Sequence, residues 1–406
     1  MDVYVARQPI FDRERHLYGY ELLYRKEGRN YFPGGDDRQA TAALLANSVL
    51  VANFSELTDG TKGFINFPGE FLTEGLPRLL PRRKIVVEVL ERVQATSDVI
   101  AACRRLKQEG YTIALDDFLI RGERVYHPLV QLADIVKIEF SKNRLTDQLQ
   151  FMRRFRGKII FLAEKIETEK EYELARKMGY RLFQGYFFSR PAMINATDIG
   201  LLDIRLINII KDLRKPEPDL DQVAAQISKD LGLTYKVLRL SNRFGFGAMQ
   251  PVHTIRQAVV RIGTEQLLQW LHLFLLNQTR NRENDELVKT SMIRGRLMQL
   301  LAGALGRGQQ AGDYFITGIF SSIDFILNDS MKHIIDELPL DGPVRSALLG
   351  GSGPLRETLE SVKAYEAAKW EQLRVFIQNS GIDPGKYITL YLSALQWTRS
   401  IDRGTD

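Results

Sequence analysis

Two adjacent carboxylates end a short apolar run in this sequence. The segment TIALDD (112–117) is typical of a buried strand, and its last residues are Asp116 and Asp117. Like charges about 4 Å apart repel by roughly 4 kcal/mol at an effective dielectric near 20. A single Asp after a strand is usually a helix N-cap or a surface charge. An adjacent pair behind a buried run indicates instead that cations lie between the charges.

Polar residues recur in the other predicted strands, mostly near their carboxyl ends. They are Glu21 in LYGYELLYR (17–25), Asn66 in KGFINF (62–67), Glu88 in KIVVEV (84–89), Lys137 in DIVKIEF (134–140), Glu164 in KIIFLAE (158–164) and Gln184 in RLFQGYFF (181–188). In a β/α barrel the carboxyl ends of the strands converge on one face, so we expect one shared site. Carboxylate and amide oxygens suit Mg²⁺ or Mn²⁺, and two such ions suit in-line chemistry on a phosphate ester. A lysine beside them would hold or deprotonate the attacking water.

The elements that would position this site fill the first half of the chain. Amphipathic helical patterns, such as 97–110 and 169–180, separate the strand-like runs and end at a glycine. Successive strands begin roughly 20 to 28 residues apart, which is the period of a β/α unit and indicates parallel pairing. The number of strand candidates favours a closed barrel over an open sheet.

The second half of the chain has a different pattern. From about residue 198 the strand signal fades, and helical stretches such as LDQVAAQISKDL and EQLLQWLHLFLLNQ follow one another. Pro191 and the polar residues of the segment 191–198 mark a linker. We therefore predict an α/β plus all-α protein, with a barrel domain in 1–197 and a helical domain in 198–406.

Composition excludes several classes of protein. The chain has 406 residues, a net charge of +6 and a single cysteine, Cys103, which excludes an intramolecular disulfide and a multi-cysteine metal site. No apolar run reaches the roughly 18 residues that span a membrane. The first residues lack the features of a signal peptide. These features together predict a cytoplasmic protein with no membrane contact.

Residues 1–195 resemble the EAL domain family, whose members hydrolyse cyclic di-GMP to linear pGpG. The resemblance rests on ELL (21–23), with Leu23 where the family usually has Ala, and on FINFP, VEVLE, LDDF, VKIE and QGYFFSRP. AEKIET (163–168) is similar to the family's AEGVET, and Glu139 stands where the family usually has Asp. The resemblance implies a modified (β/α)8, TIM-like barrel that binds cyclic di-GMP with two Mg²⁺ or Mn²⁺ ions.

The resemblance also implies a role for each matching residue. The implied metal ligands are Glu21, Asn66, Glu88, Asp116, Asp117 and Glu164. The implied catalytic residues are Lys137 and Gln184 near the water, Glu164, and Glu167 as a supporting carboxylate. The implied ligand-binding residues are Arg25, which contacts a ligand phosphate, Glu21, Leu23 and Asp117, and Glu91 braces a loop over the metals.

The loop after the Asp pair departs from the family pattern. The family continues with a small, Gly- and Ser-rich loop, which is thought to order the second metal and the barrel dimer. This chain has FLIRGERVYHP (118–128), with Gly122 as its one glycine. Two interpretations stay open: a slow or conditional phosphodiesterase, possible as a homodimer, or a barrel that binds the dinucleotide without efficient turnover.

Residues 198–406 resemble the HDOD domain, a helical relative of the HD phosphohydrolases, on the basis of the segment 220–263. An HD enzyme needs an adjacent His-Asp pair, but the corresponding helix here has Ser321 and Ser322, and Thr290 stands at the upstream His position. Hydroxyl groups do not replace imidazole and carboxylate as ligands. The resemblance therefore implies a non-catalytic module that acts as a scaffold, an output or a binder of protein partners.

A different class of function is DNA binding by the segment 220–243. It has the pattern of a helix-turn-helix, and Lys236, Arg239 and Arg243 would meet DNA phosphates. The second helix is rich in Val and Leu, which indicates burial in a bundle. A nucleic acid is therefore the less favoured partner.

Overall fold

The first part of the chain forms a closed barrel of eight strands arranged in sequence order. The computed structural model describes residues 3–26, 54–120, 128–185, 203–243, 252–280, 284–327 and 329–405. The strands are β1 (Val3–Asp12), β2 (Leu17–Lys26), β3 (Lys62–Phe67), β4 (Ile85–Val89), β5 (Thr112–Leu115), β6 (Ile135–Glu139), β7 (Ile160–Glu164) and β8 (Leu182–Phe183). The predicted barrel is confirmed.

The first strand differs from the sequence-based expectation. β1 was not among the predicted strands, and it runs antiparallel to both β2 and β8. From β2 to β8 all neighbouring strands are parallel, as predicted. Only residues 13–16 connect β1 to β2, with Arg15 at a φ of 62°. So short a connection joins antiparallel strands, because a parallel pair needs a crossover of a dozen or more residues.

An apolar layer fills the interior of the barrel. Seven strands each contribute one residue to this layer, and Tyr18 at the start of β2 packs against it. The seven residues are Ile10, Phe64, Val86, Ala114, Ile135, Leu162 and Leu182. Successive side chains of a strand point to opposite faces, so the next inward-facing residue lies two positions away. The apolar layer thus determines which residues form the layer above it.

Helices follow the strands of the barrel. They are α1 (Gly69–Glu74), α2 (Ser97–Gln108), α3 (Leu145–Arg154) and α4 (Glu169–Met178), with short 3-10 turns at Leu76–Leu79 and Pro128–Gln131. The side chains of Thr96 and Thr168 cap α2 and α4, and Glu171 completes a capping box at the start of α4. α4 ends at Gly179, whose φ of 112° suits glycine. Both helices were predicted from their spacing.

The described residues from 203 onward are mostly helical. The helices are α5 (Ile204–Leu213), α6 (Leu220–Ser228), α7 (Leu231–Arg243), α8 (Ile255–Ile262), α9 (Thr264–Gln278), α10 (Asp285–Ala304), α11 (Ala311–Phe320), α12 (Ile323–Leu327), α13 (Met331–Glu337), α14 (Gly342–Leu348), α15 (Pro354–Glu366), α16 (Trp370–Ser380) and α17 (Pro384–Thr405). Two stretches with helical spacing in the sequence, YFITGIFSSIDFIL (314–327) and RETLESVKAYEAAKWEQLRVFIQ (356–378), are each divided in two. The first divides at Ser321 and Ser322, and the second near Ala368, which has a φ of 53°.

Contacts divide the chain into two compact units. The barrel unit combines Met1–Ala192 with Glu360–Asp406, and the helical unit is Met193–Leu359. The division into domains 1–197 and 198–406 stays a prediction. In the structure, however, the final helices belong to the barrel unit. In the described part of the chain, no helix has the length and apolarity that crossing a bilayer requires.

An aromatic cluster joins the final helices to β1. The buried ring of Tyr365 meets Tyr4 edge-on, with ring centroids 6.4 Å apart, and stacks on Tyr387 at 5.2 Å. Its hydroxyl donates a hydrogen bond of 2.7 Å to the carbonyl oxygen of Val5. Among the described residues, β1 pairs with β8 only at Phe11 and Asp12. The Tyr365 hydroxyl therefore donates to a backbone carbonyl in the part of β1 that does not pair with β8.

We expect the Tyr365→Phe variant to lower the free energy of unfolding by about 1–2 kcal/mol, because the buried carbonyl of Val5 loses its donor while the ring contacts stay. Urea unfolding followed by circular dichroism measures this change. The matched control is Tyr235→Phe, since Tyr235 is 61% exposed. Equal unfolding midpoints for the two variants would contradict the role of the Tyr365 hydroxyl.

Candidate active site

A polar layer lies above the apolar layer of the barrel. Six site residues predicted from the sequence stand two positions after a residue of the apolar layer. These six are Asn66, Glu88, Asp116, Lys137, Glu164 and Gln184. Asp116 and Gln184 each follow the last residue of a strand, yet their backbone N–H groups still bond to Val89 and Ala163 of the neighbouring strands, at 3.0 and 2.9 Å. The alternation of the strands therefore brings the predicted side chains to one end of the barrel.

The ammonium group of Lys137 lies between four carboxylates. It is 2.7 Å from an oxygen of Asp116 and 2.9 Å from one of Glu88. It is also 3.1 Å from oxygens of both Glu21 and Glu164. The Lys137 side chain is fully buried. One positive charge thus faces four acidic groups in a region from which water is largely excluded.

Three of these carboxylates could hold a cation together. Glu21, Glu88 and Asp116 each offer an oxygen, and these oxygens lie within 4.8 Å of one another. The Oε2 atoms of Glu88 and Glu164 are buried, and neither has a hydrogen-bond partner among the described residues. A buried carboxylate oxygen without a partner is costly unless a cation or donor reaches it. The donor set therefore fits a hard divalent cation such as Mg²⁺ or Mn²⁺.

The amide of Gln184 is fixed by neighbours on the first two strands. Its Nε2 donates to Oε2 of Glu21 at 2.7 Å and to Oε1 of Gln8 at 3.1 Å. The carbonyl oxygen of Gln184 accepts a hydrogen bond from the N–H of Ile166. Gly185 has a φ of 153°, and a Cβ there would lie 2.3 Å from the backbone N and O of Ile166. Only glycine allows the loop after β7 to cross so closely, and this crossing holds Gln184 in place.

Burial and charge shift the proton affinities of the cluster. Burial raises the pKa of Glu164, Lys137 opposes this, and the neighbouring carboxylates bring the pKa to about 8. Burial likewise holds the pKa of Glu88 well above its ordinary value. Burial lowers the pKa of Lys137, but the surrounding carboxylates outweigh it and raise that pKa well above the usual value. Near neutral pH and without a metal, Glu164 therefore holds a proton and Lys137 is charged, and burial favours the protonated form of Glu88.

The structure describes the other predicted ligands to different extents. Asp117 is half-buried, has a φ of 43°, and its charge contributes to the raised pKa of Glu164. Asn66 lies opposite Glu88 in the β3–β4 pair. Leu23 is half-buried in β2. Arg25 pairs with Tyr4 through the backbone, and its side chain lies outside the described residues.

Two predicted residues are not brought into the cluster. The side chains of Glu91 and Glu167 are exposed, in the loops after β4 and β7. The backbone N–H of Glu167 donates to Glu171 at 2.8 Å. Their supporting roles stay predictions. Of the altered loop 118–128, residues 121–127 lie outside the described part of the chain.

The sequence analysis gave no role to three residues near the cluster. Gln8 of β1 stands two positions before Ile10, so the alternation of VYVARQPIFD would have shown its inward position once β1 was recognised. Glu139 stands two positions after Lys137 and is buried. Lys165 follows Glu164 and forms an ion pair of 2.5 Å with Glu139. The alternation of β6 predicts the inward position of Glu139, whereas no local sequence pattern predicts its ion pair with Lys165.

In the helical unit, an arginine occupies the position facing the predicted serine pair. One guanidinium nitrogen of Arg294 in α10 donates to the hydroxyls of both Ser321 and Ser322. All three residues are buried. Thr290 is half-buried on the same helix as Arg294. The guanidinium of Arg294 therefore already forms hydrogen bonds with the hydroxyl groups of Ser321 and Ser322, which stand where an HD enzyme has its His and Asp metal ligands.

We expect the free energy of unfolding of the metal-free protein to fall as pH rises from about 5 to 8. Folding raises the pKa of Glu164 from 4.5 to about 8, so in this window the folded state binds a proton that the unfolded state has lost. The slope is at most about 1.4 kcal/mol per pH unit for one proton. Urea unfolding at several pH values with a chelator measures it.

The Glu164→Gln variant should show a shallower slope, because it has lost the titrating group. The exposed residue Glu173 supplies the matched control, Glu173→Gln, which should keep the wild-type slope. A wild-type slope in Glu164→Gln would show that Glu164 does not hold the proton.

Comparison with known proteins adds independent findings. The EAL domain model matches residues 53–191, and the HDOD domain model matches residues 202–338. The EAL match begins after β2, so Glu21 and Arg25 precede it. A solved structure of a standalone EAL protein from Vibrio cholerae O395, with c-di-GMP bound, has 23% sequence identity and a TM-score of 0.36, covering 47% of this chain and 93% of that one.

Two relatives match the chain over almost its whole length. The uncharacterized protein YuxH of Bacillus subtilis is 35% identical over 409 residues, which are 99% of this chain and 99% of that protein. A Vibrio cholerae protein named cyclic di-GMP phosphodiesterase CdgJ is 34% identical over 409 residues, 98% of this chain and 93% of that protein. The chain therefore belongs to the family of proteins in which an EAL domain precedes an HDOD domain.

Proposed function

We propose that this protein binds cyclic di-GMP at the acidic end of its barrel and hydrolyses one phosphodiester bond to give pGpG. The observation that carries the proposal is the buried Lys137 ammonium with four carboxylates within 3.1 Å. The similarity to the Vibrio cholerae protein named as a cyclic di-GMP phosphodiesterase supports this choice of substrate.

Two Mg²⁺ or Mn²⁺ ions are part of the proposal. Their ligands would be Glu21, Asn66, Glu88, Asp116, Asp117 and Glu164. When bound, such ions supply Lewis acidity to the phosphodiester and to the attacking water. The buried, unpartnered oxygens of Glu88 and Glu164 support this assignment. Because burial raises the pKa of both Glu88 and Glu164 in the metal-free cluster, cation binding would favour the release of their protons.

The other residues of the cluster orient the reactants in this proposal. Lys137 keeps the carboxylates together and lies where it can hold the water. Gln184, fixed by Glu21 and Gln8, presents its amide Oε1, which has no hydrogen-bond partner among the described residues. That oxygen would accept a hydrogen bond from the water and set its direction of attack. Arg25 would contact a ligand phosphate.

A second candidate function is binding of cyclic di-GMP without efficient turnover. The sequence FLIRGERVYHP, with one glycine where the family has a small Gly- and Ser-rich loop, favours it. In that case the barrel would be a sensor, and its occupancy would be passed to a protein partner. Incubation of the protein with cyclic di-GMP separates the two functions, since only the phosphodiesterase consumes the nucleotide.

The helical unit is non-enzymatic in this proposal. Ser321 and Ser322 stand where a related enzyme needs His and Asp, and both bind Arg294. A buried guanidinium repels a second cation at that place. The unit would serve as a scaffold or as a surface for protein partners.

Incubation of the pure protein with cyclic di-GMP and Mn²⁺, with nucleotides separated over time, tests the proposal. We expect loss of cyclic di-GMP and appearance of pGpG. Glu21→Ala should lower the initial rate at least about a hundredfold, because it removes one of three converging carboxylates. The exposed-site control Glu173→Ala should keep the rate. Binding without pGpG formation would favour the sensor, and absence of both would reject the proposal.

Removal of the positive charge of Lys137 should lower the stability of the barrel. Lys137→Met leaves four acidic groups, three of them buried, without their cation, so we expect the metal-free protein to lose about 3 kcal/mol of stability. Urea unfolding with a chelator measures the loss, and added Mn²⁺ should restore part of it. An unchanged unfolding midpoint would show that the ammonium does not offset the carboxylates.

A further inference from the structure

Lys165 has a backbone conformation that lysine rarely adopts. Its φ is 55°, in the left-handed region, where the Cβ of an L-residue approaches the following carbonyl group. It directly follows Glu164, the last residue of β7. Strained backbone conformations persist where the surrounding structure enforces them, and they cluster at functional sites. The position of this lysine beside the acidic cluster therefore calls for a functional explanation.

Glu139 holds the Lys165 ammonium at the rim of the barrel. Glu139 ends β6 on the same face as Lys137, and it accepts an ion pair of 2.5 Å from Lys165 and one of 2.7 Å from Lys142. The exposed fractions of the two lysine side chains are almost equal, 55% for Lys165 and 57% for Lys142. The two cations share one carboxylate and differ in what else surrounds them.

Of the two lysines, Lys165 directly follows Glu164 of the acidic cluster. Burial lowers its pKa, but Glu139, Asp117 and Glu164 act in the opposite direction and raise it. The ammonium has three N–H donors, and the structure assigns one partner, Glu139, to it. Because its side chain is more than half exposed, the remaining donors are accessible to a ligand.

A phosphodiester ligand meets an electrostatic conflict at this end of the barrel. The carboxylates that attract divalent cations repel the negative phosphates of a dinucleotide. A fixed positive charge outside the carboxylate centre reduces this repulsion and gives the phosphate a charge-assisted hydrogen bond. Lys165 supplies such a charge, directly beside Glu164 and within the field of Asp117.

We propose that Lys165 is a specificity-determining residue of the barrel site, whose ammonium, held by Glu139, contacts a phosphate of the dinucleotide. This inference rests on the proposed binding of cyclic di-GMP. In it, the strained backbone of Lys165 is maintained because it keeps the ammonium close to both Glu139 and the ligand.

The test measures the affinity of the full chain for cyclic di-GMP by calorimetry in the presence of Ca²⁺, with chromatography to show that the nucleotide stays intact. Lys165→Gln should raise the Kd about tenfold at low salt, and the difference should shrink at high salt because a charge has been removed. Lys142→Gln is the matched control, since it removes the other ion pair to Glu139, and its Kd should stay within about twofold of wild type.

Two further variants separate charge from backbone strain. Lys165→Gly should bind as weakly as Lys165→Gln but unfold at a higher temperature, because glycine adopts positive φ freely. Lys165→Arg should retain most of the affinity. Equal Kd values for Lys165→Gln and Lys142→Gln would overturn the inference while the proposed function stands. Absence of binding by the wild-type protein would overturn both.

Discussion

The ammonium of Lys137 is the interaction on which the acidic end of the barrel depends. Four carboxylates from four different strands lie within 3.1 Å of it, and the lysine is fully buried. Burial alone would favour neutral lysine and protonated acids. The raised pKa of Lys137 and the pKa of about 8 for Glu164 show how the cluster resolves this conflict. The Lys137 ammonium stays charged, and some of the acids hold protons, which bound metal cations would replace.

The sequence predicted most of this site because one geometric rule governs it. In a strand, residues two positions apart share a face, so the apolar layer that includes Val86 and Ile135 places Glu88 and Lys137 directly above it. The strands could be recognised from their apolar runs, and parallel strands bring their carboxyl ends together. The barrel and its cluster of acids therefore follow from local patterns. The resemblance to the EAL family implied a role for each residue, but the convergence of these side chains needed only the alternation.

What the sequence did not show depends on contacts between distant segments. β1 was missed because VYVARQPIFD contains Arg7, Gln8 and Pro9 in its middle, which weakens the apolar signal. The attachment of the final helices to the barrel rests on aromatic contacts between Tyr365 and Tyr4, more than 300 residues apart. Ser321 and Ser322, where one helical pattern breaks, bind Arg294 in another helix. The periodicity within one segment does not encode such pairings, because that pattern is equally compatible with packing against other partners.

Charge alternates from β6 toward the open end of the barrel. Ile135 belongs to the apolar layer, Lys137 carries the central positive charge, Glu139 is negative, and Lys142 and Lys165 at the rim are positive. Each charge is thereby followed by one of opposite sign, so repulsion in one layer is offset by the next. A ligand that combines metal ions with phosphate groups has the same alternation. The metals would suit the carboxylate layer, and a phosphate would suit the Lys165 ammonium at the rim. This order of charges, from the interior of the barrel to its rim, would therefore orient such a ligand before any base-specific contact forms.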